Sequence, residues 1–293
     1  MKNAQELSKK NSKRSVSDMT TWLITGCSSG LGRAFALEIL KNGDNVVVTS
    51  RNADDIQGIV ENYPDTALGL SLNVTDKEQI ANAVSQAEAK FGSIDVLINN
   101  AGYGYRAAVE EAEEDEIRTL FNTNFFGTVH MIQAVLPGMR KRKFGTIMNV
   151  SSIAGRFAMP GSGYYAASKF AIEGMSDALR REVAPLGIRV VLIEPGAFRT
   201  DFAGRSLTGS KKEFSDYDET VGQRRKKNDR TDGTQPGDPQ KAAQTIIKVA
   251  KGSKIPFRLL LGTDAINAIR AELDRQHTEL EDWKEISVST DYK

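Results

Sequence analysis

The chain is short of the residues that build disulfides and metal sites. Its 293 residues include one cysteine, Cys27, and two histidines, His130 and His277. A single thiol excludes an internal disulfide, and a chain without disulfides reads as cytoplasmic. Two histidines far apart, with no partner ligands nearby in sequence, fall short of a metal site. Charge of one sign is missing as well: 39 basic against 38 acidic residues leave a formal net charge of +1. That balance excludes a broad basic footprint for nucleic acid. Long apolar runs are also absent. The first 18 residues are polar and lysine-rich, without the apolar core of a secretory signal. They are expected to form a disordered leader, with Met19 as an alternative start. The longest uncharged run, residues 119–139, holds two Asn, a His, a Gln, two Gly and a Pro. It is too polar for a membrane span and is expected to be a helix buried on several sides.

What the chain does have is alternation. Short β-branched runs at 21–25, 45–49, 67–72, 94–100, 145–150, 188–195 and 257–262 read as strands. Between them lie helical patterns at 30–43, 76–91 and about 165–185, with a last helix at 264–281. Continuous apolar strands alternating with helices predict a doubly wound parallel sheet of the α/β class, covered on both faces. One such domain is expected over 19–282, followed by a short tail at 283–293. Residues 205–238 break the pattern with a charged, glycine-bearing stretch, and a substrate lid is expected at about 200–238.

T-G-C-S-S-G-L-G sits at the first strand–helix junction. There a doubly wound sheet binds a pyrophosphate, because glycines let backbone N–H groups approach and the helix N-terminus is partly positive. Gly26, Ser28, Ser29, Gly30, Leu31 and Gly32 are therefore candidate cofactor contacts. Cys27 lies inside this loop and reads as a small residue chosen for fit, not a redox group. The second strand ends in Ser50 and Arg51, where an acid would favour an unphosphorylated ribose. A guanidinium can grip a 2′-phosphate bidentately, so NADP(H) is expected over NAD(H), which stays open. Asn73, with Val74, ends the third strand at the expected adenine edge.

G-S-G-Y-Y-A-A-S-K-F carries two tyrosines and one lysine. Residues four apart share a helix face, so Tyr165 pairs with Lys169 and Tyr164 does not. A nearby ammonium stabilises a phenolate, which makes the spacing that of a tuned acid/base. Ser152 closes the strand G-T-I-M-N-V-S-S, where its hydroxyl can donate to a substrate carbonyl.

Together with N-N-A-G, N-x-F-F-G, S-S-I-A-G and P-G-A-F-R-T, these motifs resemble the short-chain dehydrogenase/reductase family, of the single-domain type. The resemblance covers about residues 21–261, and the wording is similar to the 17β-hydroxysteroid and retinol dehydrogenase-like branch. It implies that Ser152 polarises a carbonyl, that Tyr165 is the general acid/base, and that Lys169 holds the nicotinamide ribose and lowers the Tyr165 pKa. It implies that Asn124 keeps a water in a proton relay beyond Lys169. Asn99, Asn100, Ala101 and Gly102 would line the cofactor. Pro195, Gly196 and Thr200 would lie against the nicotinamide and its phosphate. Ser29 departs from the pattern, since many NADP-using relatives carry a basic residue there.

Hydride transfer between nicotinamide and a carbonyl or secondary alcohol is the expected reaction. Tyr103, Tyr105, Ile153, Phe157, Tyr164, Phe198 and Phe202 are expected to bound an apolar substrate pocket without charge beyond the catalytic groups. Phe214 and Tyr217 are expected to close it from the lid. The rival reading is a non-catalytic NADP(H)-sensing module, which would lose part of the Ser–Tyr–Lys set. A sugar epimerase or dehydratase would need a larger carboxy-terminal domain. No nucleic-acid or membrane partner is expected beyond the small-molecule substrate. The resemblance implies a homodimer or homotetramer built from the low-charge helices.

Overall fold

The structure is a computed structural model describing residues 19–292, apart from 203, 205 and 232. Seven parallel strands form the main sheet. They are β1 (Thr21–Ile24), β2 (Asn45–Ser50), β3 (Ala67–Ser71), β4 (Val96–Asn99), β6 (Gly145–Val150), β7 (Ile188–Pro195) and β9 (Arg258–Leu261). Their order is β3-β2-β1-β4-β6-β7-β9. A small second sheet pairs β5 (Gly104–Arg106) with β8 (Leu207–Gly209), with Gly104 opposite Leu207.

The helices cover both faces. On one side Phe35 and Ile39 of α1 (Gly30–Lys41) share a core with Ile246 of α8 (Pro239–Lys251) and the facing residues of β1, β2 and β7. On the other, Ile80 of α3 (Lys77–Phe91) and Met131 of α5 (Gly127–Arg142) pack with Leu23, Leu97 and Ile147. The central strands are buried on both faces, which is why they read as unbroken apolar runs. Short-range chemistry sets the helix starts. Asp76 caps α3 by accepting from the Glu78 and Gln79 amides, and Asp238 caps α8 just before Pro239. Gly92 then ends α3 at φ +80. The chain turns around between β1 and β4, and a crevice opens there at the carboxyl ends of the strands.

Two expectations change. The uncharged run is not one regular helix: α4 (Glu114–Phe121) passes through a π-helical turn at Asn122–Phe126 into α5. Phe126 is 46% exposed, so this segment is not buried on every side. The last helix, α9, covers Thr263–Val288 and so runs past the expected end at 281 into the expected tail. Residues 1–18, the expected leader, lie outside the described residues. Among the described residues, no helix is long and apolar enough to cross a membrane. None of their histidines, cysteines or acids cluster as a metal site.

The stretch after β7 folds back over the crevice. It runs through β8 to α7 (Gln223–Thr231). Its anchors are carboxylates in the strip that follows β5. Glu111 is fully buried and accepts from the Phe214 amide at 3.0 Å and from Arg225 at 2.6 Å. The Tyr217 hydroxyl donates to Glu110 at 2.7 Å, and Lys212 pairs with Glu113 at 2.8 Å.

Candidate active site

One cavity of about 1110 Å³ runs along the carboxyl edge of the sheet. At one end lie the glycine loop and the tips of β2 and β3. At the other lie residues that follow β7, among them Phe198, Phe202, Leu207, Arg224 and Gln235.

Tight backbone contacts build the glycine-loop end. Gly26 has φ +74, and a Cβ there would come within 2.9 Å of the Ala101 Cα. Thr25 Oγ1 accepts from the Asn100 and Ala101 amides at 3.0 and 2.9 Å, and the Asn100 side chain donates back to the carbonyls of Thr25 and Gly26. The start of α1 is left open: Ser29 makes no side-chain cap bond, and the first turn holds no acid. The early amides of α1 are thus without a capping group at a positive helix end, which suits an anion. Ser28, Ser29, Gly30, Leu31, Arg51, Asn73, Val74, Asn100, Ala101 and Gly102 all line the cavity here. Pro195, Gly196 and Thr200 line it from the β7 side, with Thr200 Cβ 3.7 Å from where a Gly30 Cβ would stand.

Three expected cofactor residues do other work. Gly32 does not line the cavity; a Cβ there would press on the Gly26 carbonyl and the Asn100 amide, so glycine is needed for loop closure. Asn99 is buried below the cavity and donates to Asn149 Oδ1 at 2.9 Å. Asn73 reaches the wall, but its Oδ1 is occupied by the amide and hydroxyl of Thr75.

The floor carries Ser152, Tyr165 and Lys169. Ser152 lies two residues past the end of β6, and its Oγ accepts from the Ala154 amide at 3.1 Å. Tyr165 and Lys169 project from α6 (Gly163–Val183) one turn apart, with the Lys169 Nζ 5.7 Å from the Tyr165 ring centroid. Burial pushes the Tyr165 phenol up to about 12, and a hydrogen bond with Ser152 opposes that rise. Burial likewise lowers Lys169 to about 8, countered by the Glu173 carboxylate one turn on. The ammonium donates to the Val150 carbonyl at 2.8 Å, and the rise of the Tyr165 phenol is opposed by Ser152, not by Lys169, in this structure. Asn124 stands behind this group and does not line the cavity. Its side chain clamps Tyr103, accepting from the amide at 3.0 Å and donating to the carbonyl at 2.9 Å. It also donates to Ser168 Oγ at 3.2 Å. These bonds commit both protons of the amide and pin the backbone where the cavity bends.

On the substrate side Tyr103, Ile153, Phe157, Phe198 and Phe202 line the wall, and the Phe202 ring sits 5.9 Å from that of Tyr165. Tyr105 borders it too, but is 2% exposed with its hydroxyl donated to Glu116 at 2.6 Å. Tyr164 lies outside. Its hydroxyl donates to the Val109 carbonyl at 2.9 Å, because the helix turns it away from Tyr165. Phe214 and Tyr217 do not line the cavity either: the Phe214 side chain is 43% exposed, and the Tyr217 hydroxyl donates to Glu110. Sequence reasoning missed Met159, Leu207, Arg224 and Gln235, which complete this wall. The pocket is therefore not free of charge. Nothing in Q-R-R-K-K sets Arg224 apart from its neighbours; only the fold does. Cys27 is fully buried, its thiol pushed up to about 12 by burial.

The model of the short chain dehydrogenase family matches residues 20–210. Oxidoreductase BOA17 of Botryotinia fuckeliana is 38% identical over 273 residues, covering 92% of this chain and 98% of that protein. The 3-ketodihydrosphingosine reductase of Bacteroides thetaiotaomicron is 40% identical over 244 residues, covering 82% of this chain and 87% of the other. A solved short-chain dehydrogenase from Streptomyces avermitilis superposes with a TM-score of 0.88 at 41% identity, over 95% of this chain and all of that one.

Proposed function

The chain belongs to the short-chain dehydrogenase family of oxidoreductases, and from that premise we propose that it is an NADP(H)-dependent carbonyl reductase or alcohol dehydrogenase acting on a largely apolar small molecule. One observation carries this reading. Ser152, Tyr165 and Lys169 converge on the floor of the cavity whose far end is the uncapped helix start and the glycine loop.

A nicotinamide dinucleotide fits the residues present and, when bound, supplies or accepts the hydride. The open amides at 29–31 suit its pyrophosphate, and Arg51 suits a 2′-phosphate. Asn73 and Val74 would flank the base. Ala101, Gly102 and Lys169 would meet the ribose nearer the reaction, and Thr200 the phosphate.

The chain's own groups handle the oxygen. Ser152 donates to the substrate carbonyl and orients it. Tyr165 holds its proton throughout the neutral range, so it is the general acid in reduction; as phenolate it is the base in oxidation. The Lys169 ammonium offsets the negative charge left on Tyr165 when that proton leaves. The aromatic rings of Phe157, Phe198 and Phe202 favour an apolar substrate body. The chain is further read as a homodimer or homotetramer. Phe126, and Phe170 of α6, are 46% and 45% exposed on neighbouring segments, which supports an interface there.

Nicotinamide absorbance followed with NADPH and NADH, against lipophilic ketones and aldehydes, tests the reading. NADPH is expected to be consumed and NADH used poorly. Tyr165→Phe is expected to lower kcat by about 10²–10⁴-fold with cofactor affinity unchanged. A chain that binds cofactor but turns over no carbonyl or alcohol in either direction is a sensor instead.

A further inference from the structure

Arg224 and Arg225 are adjacent on α7 and have opposite fates. Arg225 reaches down to the body, pairing with the buried Glu111 at 2.6 Å and with Glu213 at 3.5 Å. Arg224 turns to the other side and lines the cavity. Its Nε is buried with no hydrogen-bond partner among the described residues. The helix is well seated: Val221, one turn earlier, is buried against Gly161, just ahead of the Tyr165 helix. Arg224 is thus held over the substrate end, across an apolar wall that includes Phe157, Met159 and Leu207.

The other charged groups of the wall do not satisfy it. Glu116 is engaged with the Tyr105 hydroxyl, and Asp115 is exposed at the rim. Asp55 belongs with the Arg51 end, on the far side of the glycine loop. Arg106, a second cation of the wall, has an interaction of its own. A guanidinium stays charged at any working pH, and leaving a buried donor unpaired is costly. A ligand that brings a carboxylate removes that cost and gains a charge-assisted, bidentate contact.

We propose that the substrate is an oxo acid, or the matching hydroxy acid: an apolar body with a carboxylate remote from the reacting carbon, the carboxylate being held by Arg224. This rests on the hydride-transfer reading above and adds one feature to it. The aromatic wall takes the body, Ser152 and Tyr165 take the carbonyl, and Arg224 sets how far from the carbonyl the acid must lie. Such a site prefers the acid to its amide, because an amide oxygen can accept one hydrogen bond but brings neither the charge nor the second oxygen of a bidentate pair.

The test separates binding from chemistry. Calorimetry with NADP⁺ present, so that no reduction occurs, measures 4-oxo-4-phenylbutanoate, its one- and two-carbon-longer homologues, and the primary amide of each. The wild-type chain is expected to bind at least one acid tenfold or more tightly than its amide. Arg224→Gln is expected to erase that preference while leaving the amide's affinity unchanged, and Arg224→Lys to retain part of it. Arg225→Gln, which loosens the helix, is expected to weaken acid and amide alike. Equal binding of acid and amide at every length, binding of neither, or a preference that survives Arg224→Gln overturns the proposal. Replacing NADP⁺ by NADPH and then NADH tests the other reading separately. An acid preference in binding, with no carbonyl reduced by either cofactor, keeps the anion site and removes the hydride chemistry.

Discussion

The two ends of the cavity are held by different forces. At the glycine loop, backbone and short polar side chains lock together: Asn100 bonds to Thr25 and Gly26, and the parallel strands hold both in register. At the substrate end, the stretch after 200 is held by long side chains that reach carboxylates across about a hundred residues of sequence. Arg225 finds Glu111, Tyr217 finds Glu110, and Lys212 finds Glu113. The first arrangement is a continuation of the sheet and shares its stability. The second is a separate clamp whose strength depends on ionisation, and local opening belongs to such segments. If the second arrangement opens while the first stays closed, the segment after 200 can act as the cover proposed for the substrate end.

The contrast breaks most visibly at Glu111. Removing its carboxylate in Glu111→Ala orphans the amides of Ala108 and Phe214 and the buried end of Arg225. Each orphaned donor costs about 1–3 kcal/mol. Proteolysis within 205–238 is expected to accelerate tenfold or more, while the urea midpoint of the sheet moves little; equal losses in both would show one cooperative unit. Burial alone would raise the Glu111 carboxyl, but the Phe214 and Ala108 amides and Arg225 outweigh it, so it lies below the usual range. The clamp is therefore complete above the unfolded carboxylate value near ~4.3 and is lost as pH falls through the folded value. The same proteolysis followed from pH 6 to 3 checks the sign.

A smaller effect sharpens the catalytic side. Lys169 sits at about 8 and Tyr165 at about 12, so between these values the phenol keeps its proton while the lysine loses its charge. Carbonyl reduction, measured as kcat/KM, is expected to fall as pH rises through about 8, approaching tenfold per unit. A profile flat to pH 10 would mean the ammonium contributes nothing to proton transfer.

The smallest effect lies at the exposed end of the cofactor site. Arg51→Ala is expected to weaken NADPH binding by about fivefold and leave NADH unchanged, because an exposed charge pair is worth at most about 1 kcal/mol. Titration of both cofactors checks it. Equal loss for both would assign Arg51 to the pyrophosphate and not to the 2′-phosphate.

Much of this was legible in the residues alone, and what was legible shares a cause. The strand runs, the helical pattern at 76–91, the glycine loop and the Tyr165–Lys169 pair each depend on spacing within one or two turns of chain. Periods of two and 3.6 write that information directly into the sequence, and the order of strands then carries each motif to the carboxyl edge of the sheet. Side-chain destination is another matter. Tyr164 bonds to Val109 across 55 residues, and Asn124 clamps Tyr103 across 21. Arg225 finds Glu111 across 114, and Arg224 is left to face the cavity. No local rule separates two adjacent arginines in a charged stretch. Their roles are assigned only when the chain folds back and one carboxylate, already buried, can satisfy one of them.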